Sequence, residues 1–165
     1  MNRSAKCSQL QLRVSKEEKS AIRRAARRAG MDMSAYVLSR VLPAPAAAFQ
    51  EAVTALTGPG EPRFALAEVN SLLSGFTAAE LRQAVAAAPQ ATLSPFLANY
   101  VAAMTETACH MRGLPLPAWT RRIEALPEPQ FGSALPSLRL YLLTHSPAPF
   151  RRRNIFIDSS VGARV

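Results

Sequence analysis

Residues 9 to 14, QLQLRV, set Gln9, Gln11 and Arg13 on one side of an extended chain and Leu10, Leu12 and Val14 on the other. That is the two-residue period of a half-buried strand. Three polar side chains at i, i+2 and i+4 span about 13 Å at ~3.3 Å per residue. A glutamine amide can bond bidentately to the edge of adenine, and an arginine guanidinium to the edge of guanine. The chemistry on offer is recognition by hydrogen bonding. The residue types for catalysis are not assembled anywhere. No glycine-rich phosphate loop follows a strand, and no carboxylates pair at metal spacing. His145 beside Ser146 reads as a partner for a helix C-terminus. His110 follows Cys109 directly, and adjacent helix residues do not face one another. No catalytic residue, metal or cofactor is expected, and the chain is not read as an enzyme.

The elements around this strand must position it. A lone strand is not stable in water. The simplest partner is the same strand of a second copy, paired antiparallel across a two-fold axis. Ser15, with Glu18 three residues on, predicts a capping box and the start of a helix. Ile22, Ala25, Ala26 and Ala29 take one face of that helix; Arg23, Arg24, Arg27 and Arg28 take the other. Gly30 supplies a left-handed stop. Asp32 reads as the N-cap of a second helix carrying Met33, Tyr36, Val37 and Val41, which Pro43 and Pro45 end.

Strand, helix, glycine turn and helix within residues 8–42 resemble the ribbon-helix-helix family of DNA-binding proteins. The resemblance implies that paired strands enter the major groove and read bases through Gln9, Gln11 and Arg13. It also implies a phosphate held at the start of the second helix by Met33 and Ser34, through backbone N–H groups and the Ser34 hydroxyl. Arg3 and Lys6, ahead of the strand, are expected as further phosphate contacts. The partners implied are double-stranded DNA and a second copy of the chain, a homodimer.

Charge is distributed to match. Residues 1–40 hold ten Lys or Arg against three acids, and residues 41–165 hold ten against eight. A cationic end beside a polar strand is the electrostatic footprint of a nucleic-acid binder. Cys7 and Cys109 stand far apart, which argues a reducing compartment and no disulfide framework. The polar N-terminus lacks a signal-peptide core and no apolar run reaches membrane-spanning length, so a cytoplasmic protein without membrane contact is expected.

The predicted fold class is mainly α. Residues 1–45 form the ribbon-helix-helix domain, with one strand and two helices. Residues 46–165 form an all-α domain with a basic, partly extended tail. Helices are predicted over 47–56, 64–73, from Thr77 to Pro89, from Thr92 or Ser94 to about Arg112 and over 133–144, with a short one at 119–125. The tail, FRRRNIFID, joins Arg151, Arg152 and Arg153 to the apolar Phe150, Ile155, Phe156 and Ile157. It reads as a docking segment for an acidic partner, as a second DNA contact, or as a strand packed on its own domain. From Trp119 through this tail the chain resembles the C-terminal region of small bacterial proteins found with nucleotidyltransferase-like toxins. That resemblance implies an antitoxin and autorepressor, which neutralises its toxin through the second domain, with Trp119 and the tail binding the partner. Two alternatives stay open: an accessory protein of plasmid mobilisation or partition, and a repressor whose helical domain binds a small effector, in a pocket lined by Phe96, Tyr100 and Met104.

Overall fold

The computed structural model describes residues 11–41 and 43–158. The chain divides into two compact units, Met1–Pro43 and Ala44–Val165.

In the first unit, α1 (Lys16–Arg28) begins where the sequence predicts. The Glu18 amide donates to Ser15 Oγ at 3.2 Å, and the Ser15 amide donates to Glu18 Oε2 at 2.7 Å. Glu17 and Glu18 in the first turn and Arg27 and Arg28 in the last both complement the helix dipole. Gly30 at φ +67° turns the chain, and the Met31 amide reaches back to the Ala26 carbonyl. Asp32 Oδ1 then accepts from the Ala35 amide at 2.9 Å and starts α2 (Met33–Val41). The strand expected over residues 9–14 lies partly outside the described residues. From Gln11 to Val14 the chain has no regular secondary structure of its own.

The second unit is built on α6 (Pro95–Met111), opened by Ser94, whose hydroxyl accepts from the Leu97 amide, with Pro95 in the first turn. Nine of its residues are buried, so it is packed on most sides. Around it stand α3 (Pro45–Thr54), α4 (Pro62–Gly75) and α5 (Ala78–Ala84), contributing Phe49, Val53, Val69, Leu73 and Leu81 to the core. Thr77 and Glu80 form the expected capping box of α5.

α5 ends at Ala84, several residues before Pro89. The Trp119 indole donates to the Val85 carbonyl at 2.9 Å, so a group from a distant loop satisfies the helix end. The helix predicted from Ser133 becomes a 3₁₀ turn at Pro136–Leu138 followed by α7 (Arg139–His145).

The basic tail is not a loose appendage. α8 (Ala148–Arg151) leads into a turn with Asn154 at φ 57°, then β2 (Ile155–Phe156). β2 pairs in parallel with β1 (Gln130–Phe131), with Gln130 opposite Ile155 and Phe131 opposite Phe156. Ser146 Oγ donates to the carbonyls of Leu142 and Ile157, tying the end of α7 to the end of the tail. The second unit is therefore helical with one short parallel ladder.

Candidate nucleic-acid interface

Arg3 and Lys6, expected as phosphate contacts, and Gln9 of the expected strand lie outside the described residues. Gln11 and Arg13 are exposed and lie just ahead of the Ser15 cap of α1. Between them Leu12 is 59% exposed, and Val14 is exposed as well. Water on an aliphatic side chain of this size is unfavourable by up to ~2 kcal/mol each. The same holds for Met31, Leu38 and Val41, the last at 72% exposure. α2 buries no residue, and Ala26 is the one buried residue of α1. The described part of the first unit is thus two helices whose apolar residues are mostly exposed or half-buried.

At the start of α2, Met33 is half-buried and Ser34 exposed. Asp32 caps the Ala35 amide, while the Met33 and Ser34 amides have no hydrogen-bond partner among the described residues. Two N–H groups are therefore open at a positive helix end, as an anion contact requires. The Asp32 carboxylate beside them opposes an anion, so the position holds phosphate only with cations nearby. The unit as a whole is cationic. Residues 11–41 hold eight Lys or Arg against three acids. Arg40 lies 5.3 Å from the Tyr36 ring centroid, and the α1 cations are exposed.

The eight residues assigned to partner docking are placed differently from expectation. Phe150, Ile155, Phe156 and Ile157 are buried in the core of the second unit, as is Trp119. Arg153 is buried too. Its Nη2 donates to Glu106 Oε1 at 2.6 Å and to the Thr120 carbonyl at 2.8 Å, and Nη1 donates to Asn99 Oδ1 at 3.1 Å. Asn99 in turn donates to the carbonyls of Pro95 and Glu124. Only Arg151 and Arg152 of the eight are exposed. Of the readings open for the tail, the structure has the one in which it packs on its own unit, with two surface arginines. The physical reason is that the third arginine finds its acid inside the fold, on α6.

Sequence reading missed this network because Glu106 sits 47 residues from Arg153. It also missed two concavities in the second unit. One, of about 390 Å³, is lined by Leu66, Leu73, Tyr100, Met104 and Phe150 among others. The other, of about 310 Å³, is lined by Phe96, Phe131, Tyr141 and again Tyr100. Of the three residues expected around an effector, Tyr100 and Met104 line the first and Phe96 and Tyr100 the second. Burial pushes the Tyr100 hydroxyl above its ordinary pKa, so it stays a neutral donor. Among the described residues no group of three His, Cys, Asp or Glu is placed to hold a metal, and no helix is long and apolar enough to cross a membrane.

A family model described as NikA-like, mobilization protein NikA, matches residues 5–55. The match covers the described part of the first unit and all of α3, just under a third of the chain. Nothing matches among curated proteins or among solved structures.

Proposed function

We propose that the chain is a double-stranded-DNA-binding accessory protein of DNA mobilisation, acting as a homodimer through its first unit. The observation that carries this reading is the coincidence of the mobilization-protein match at residues 5–55 with the cationic strand-helix-turn-helix segment. Of the three function classes that the residues leave open, this one is favoured over the antitoxin. The tail that carried the antitoxin reading is largely buried in its own unit.

Dimerisation follows from the exposed apolar residues of the first unit. Two copies that pair Leu10, Leu12 and Val14 in an antiparallel ribbon, and face Ile22, Val37, Leu38 and Val41 across the axis, bury what one copy exposes. The opposite side of that ribbon then presents Gln9, Gln11 and Arg13 twice, related by two-fold symmetry. This fits a groove whose binding site is itself two-fold or nearly so. The open amides of Met33 and Ser34 anchor the flanking phosphates and fix the register in which the ribbon lies.

The experiment is selection from a random-sequence duplex library with the full chain. The enriched motif is then mapped on the DNA of the native host. A motif within a transfer origin is the expected result. A motif confined to a promoter would favour the repressor reading, and no enrichment at moderate salt would refute sequence-specific binding.

A further inference from the structure

α1 carries more positive charge than base reading by the strand requires. Lys16, Lys19, Arg23 and Arg27 follow one another at i+3 and i+4 and form one stripe; Arg24 and Arg28 form a second beside it. All six are exposed, and the face opposite them holds Ala26, buried, with Ile22 and Ala25 half-buried. The acids of this unit do not neutralise them. Of the three, Glu18 is held by the Ser15 amide and Asp32 by the Ala35 amide, both at helix starts, and Glu17 forms no ion pair among the described residues. Among the described residues none of the six is in an ion pair.

Six unneutralised cations on one helix repel one another, and a linear polyanion relieves that repulsion. Thirteen residues of helix extend about 20 Å at 1.5 Å per residue. A DNA strand presents one phosphate per ~3.4 Å of axis, so about six over that length. Number and length agree. Four of the six are arginines, whose planar forks suit phosphate oxygens better than a lysine ammonium does. The placement agrees as well. Gly30 and its neighbours join the last turn of α1 directly to the start of α2. Arg24, Arg27 and Arg28 therefore lie at the same end of the unit as the open Met33 and Ser34 amides.

We propose that the exposed face of α1, through Arg24, Arg27 and Arg28, grips the phosphate backbone of double-stranded DNA flanking the bases that the strand reads. This rests on the DNA-binding reading above. It adds a sequence-independent clamp that lengthens the footprint without adding specificity, because phosphate contacts carry no base information.

The test uses the full chain and two duplexes carrying the selected motif. One stops at the motif's edges; the other extends it by about one helical turn, ~10 base pairs, on each side. Affinity is followed by anisotropy against salt. For the native chain, log K is expected to fall more steeply with log salt on the long duplex. R24Q/R27Q/R28Q should lose that extra steepness and still bind the short duplex as the native chain does. Each lost phosphate contact removes roughly 0.9 from the slope, so two copies lose up to about 5. R24K/R27K/R28K should keep most of the slope, and unchanged helicity of both variants excludes unfolding as the cause. If the glutamine variant keeps the native dependence on duplex length, or the native chain shows none, the proposal is overturned. Unchanged DNA binding with lost retention on immobilised poly-glutamate would overturn it too, assigning the face to an acidic protein. Binding of neither duplex by the native chain would refute the DNA-binding reading, and this clamp with it.

Discussion

Replacing Arg153 by methionine removes the cation of a buried ion pair and leaves its acid behind. Both side chains of the pair are only 7% exposed, so solvent screens little of the interaction. Glu106 would keep a charge in the core beside Asn99, whose Oδ1 also loses its donor, and the Thr120 carbonyl would lose one as well. Breaking a buried pair from one side costs about 3–5 kcal/mol. For a unit of this size that lowers the melting temperature by roughly 10–20 °C. The double variant E106L/R153M should recover much of the loss, because no charge then remains buried; Arg153 Nε already lacks a partner in the native fold. R151S/R152S, by contrast, alters exposed residues and should stay within about 0.5 kcal/mol of native. The assay is thermal unfolding of the full chain by circular dichroism, repeated at high salt. The depression in R153M should persist in salt, since a buried pair is screened far less than a surface one. An R153M variant that melts within about 2 °C of native would refute the buried network as a source of stability. A large loss in R151S/R152S would refute the division of the triplet into two surface arginines and one core arginine.

Leu12→Asp places a charge on the side of the ribbon that two copies should bury, and should abolish the dimer at a cost of several kcal/mol; a well-folded dimer by ultracentrifugation would refute the pairing. Arg13→Ala should cost about 1–3 kcal/mol on the selected motif and little on random duplex DNA, and equal losses on both would make Arg13 a phosphate contact. Cys109 is buried, and that burial pushes its thiol pKa up against the weaker pull of Arg112. With Cys7 replaced by serine, alkylation near pH 8 should therefore be slow until denaturant is added. The sign for stability follows: the unfolded thiol ionises first, so the stability that neutral Cys109 provides declines as pH rises past the ordinary thiol range.

Where the sequence was legible, the cause of structure was local. Ser15 with Glu18, Thr77 with Glu80, and Ser94 ahead of Pro95 each start a helix with side chains that reach no further than three residues. Gly30 and Gly113 end helices because each adopts a positive φ that other residues rarely take. Where it was illegible, the cause lay far along the chain. The alanines after Ala84 favour helix by propensity, yet α5 stops before them, and the Trp119 indole, 34 residues away, takes the Val85 carbonyl. Three consecutive arginines look alike in sequence. Asn154 turns the chain after them, and only the third meets Glu106. The alternation over residues 9–14 is plain in the sequence, but from Gln11 to Val14 the chain forms no strand of its own, and on the proposed reading a second copy supplies its partner.

The two units differ in what holds them. In the second, Phe49, Val53, Leu73, Leu81, Val101 and Ile155 close a core within one chain. In the first, Ala26 is buried while Leu12, Leu38 and Val41 remain exposed, and on the proposed reading folding and pairing are one event there. A fold completed by a partner gains stability from concentration and from any ligand that binds the paired form. DNA that requires the ribbon therefore stabilises the ribbon. On the proposed reading, the first unit is assembled most firmly where two copies meet a cognate site, while the second keeps a core of its own. A long chain has a use for that asymmetry: the reader can come off DNA and separate without the second unit unfolding.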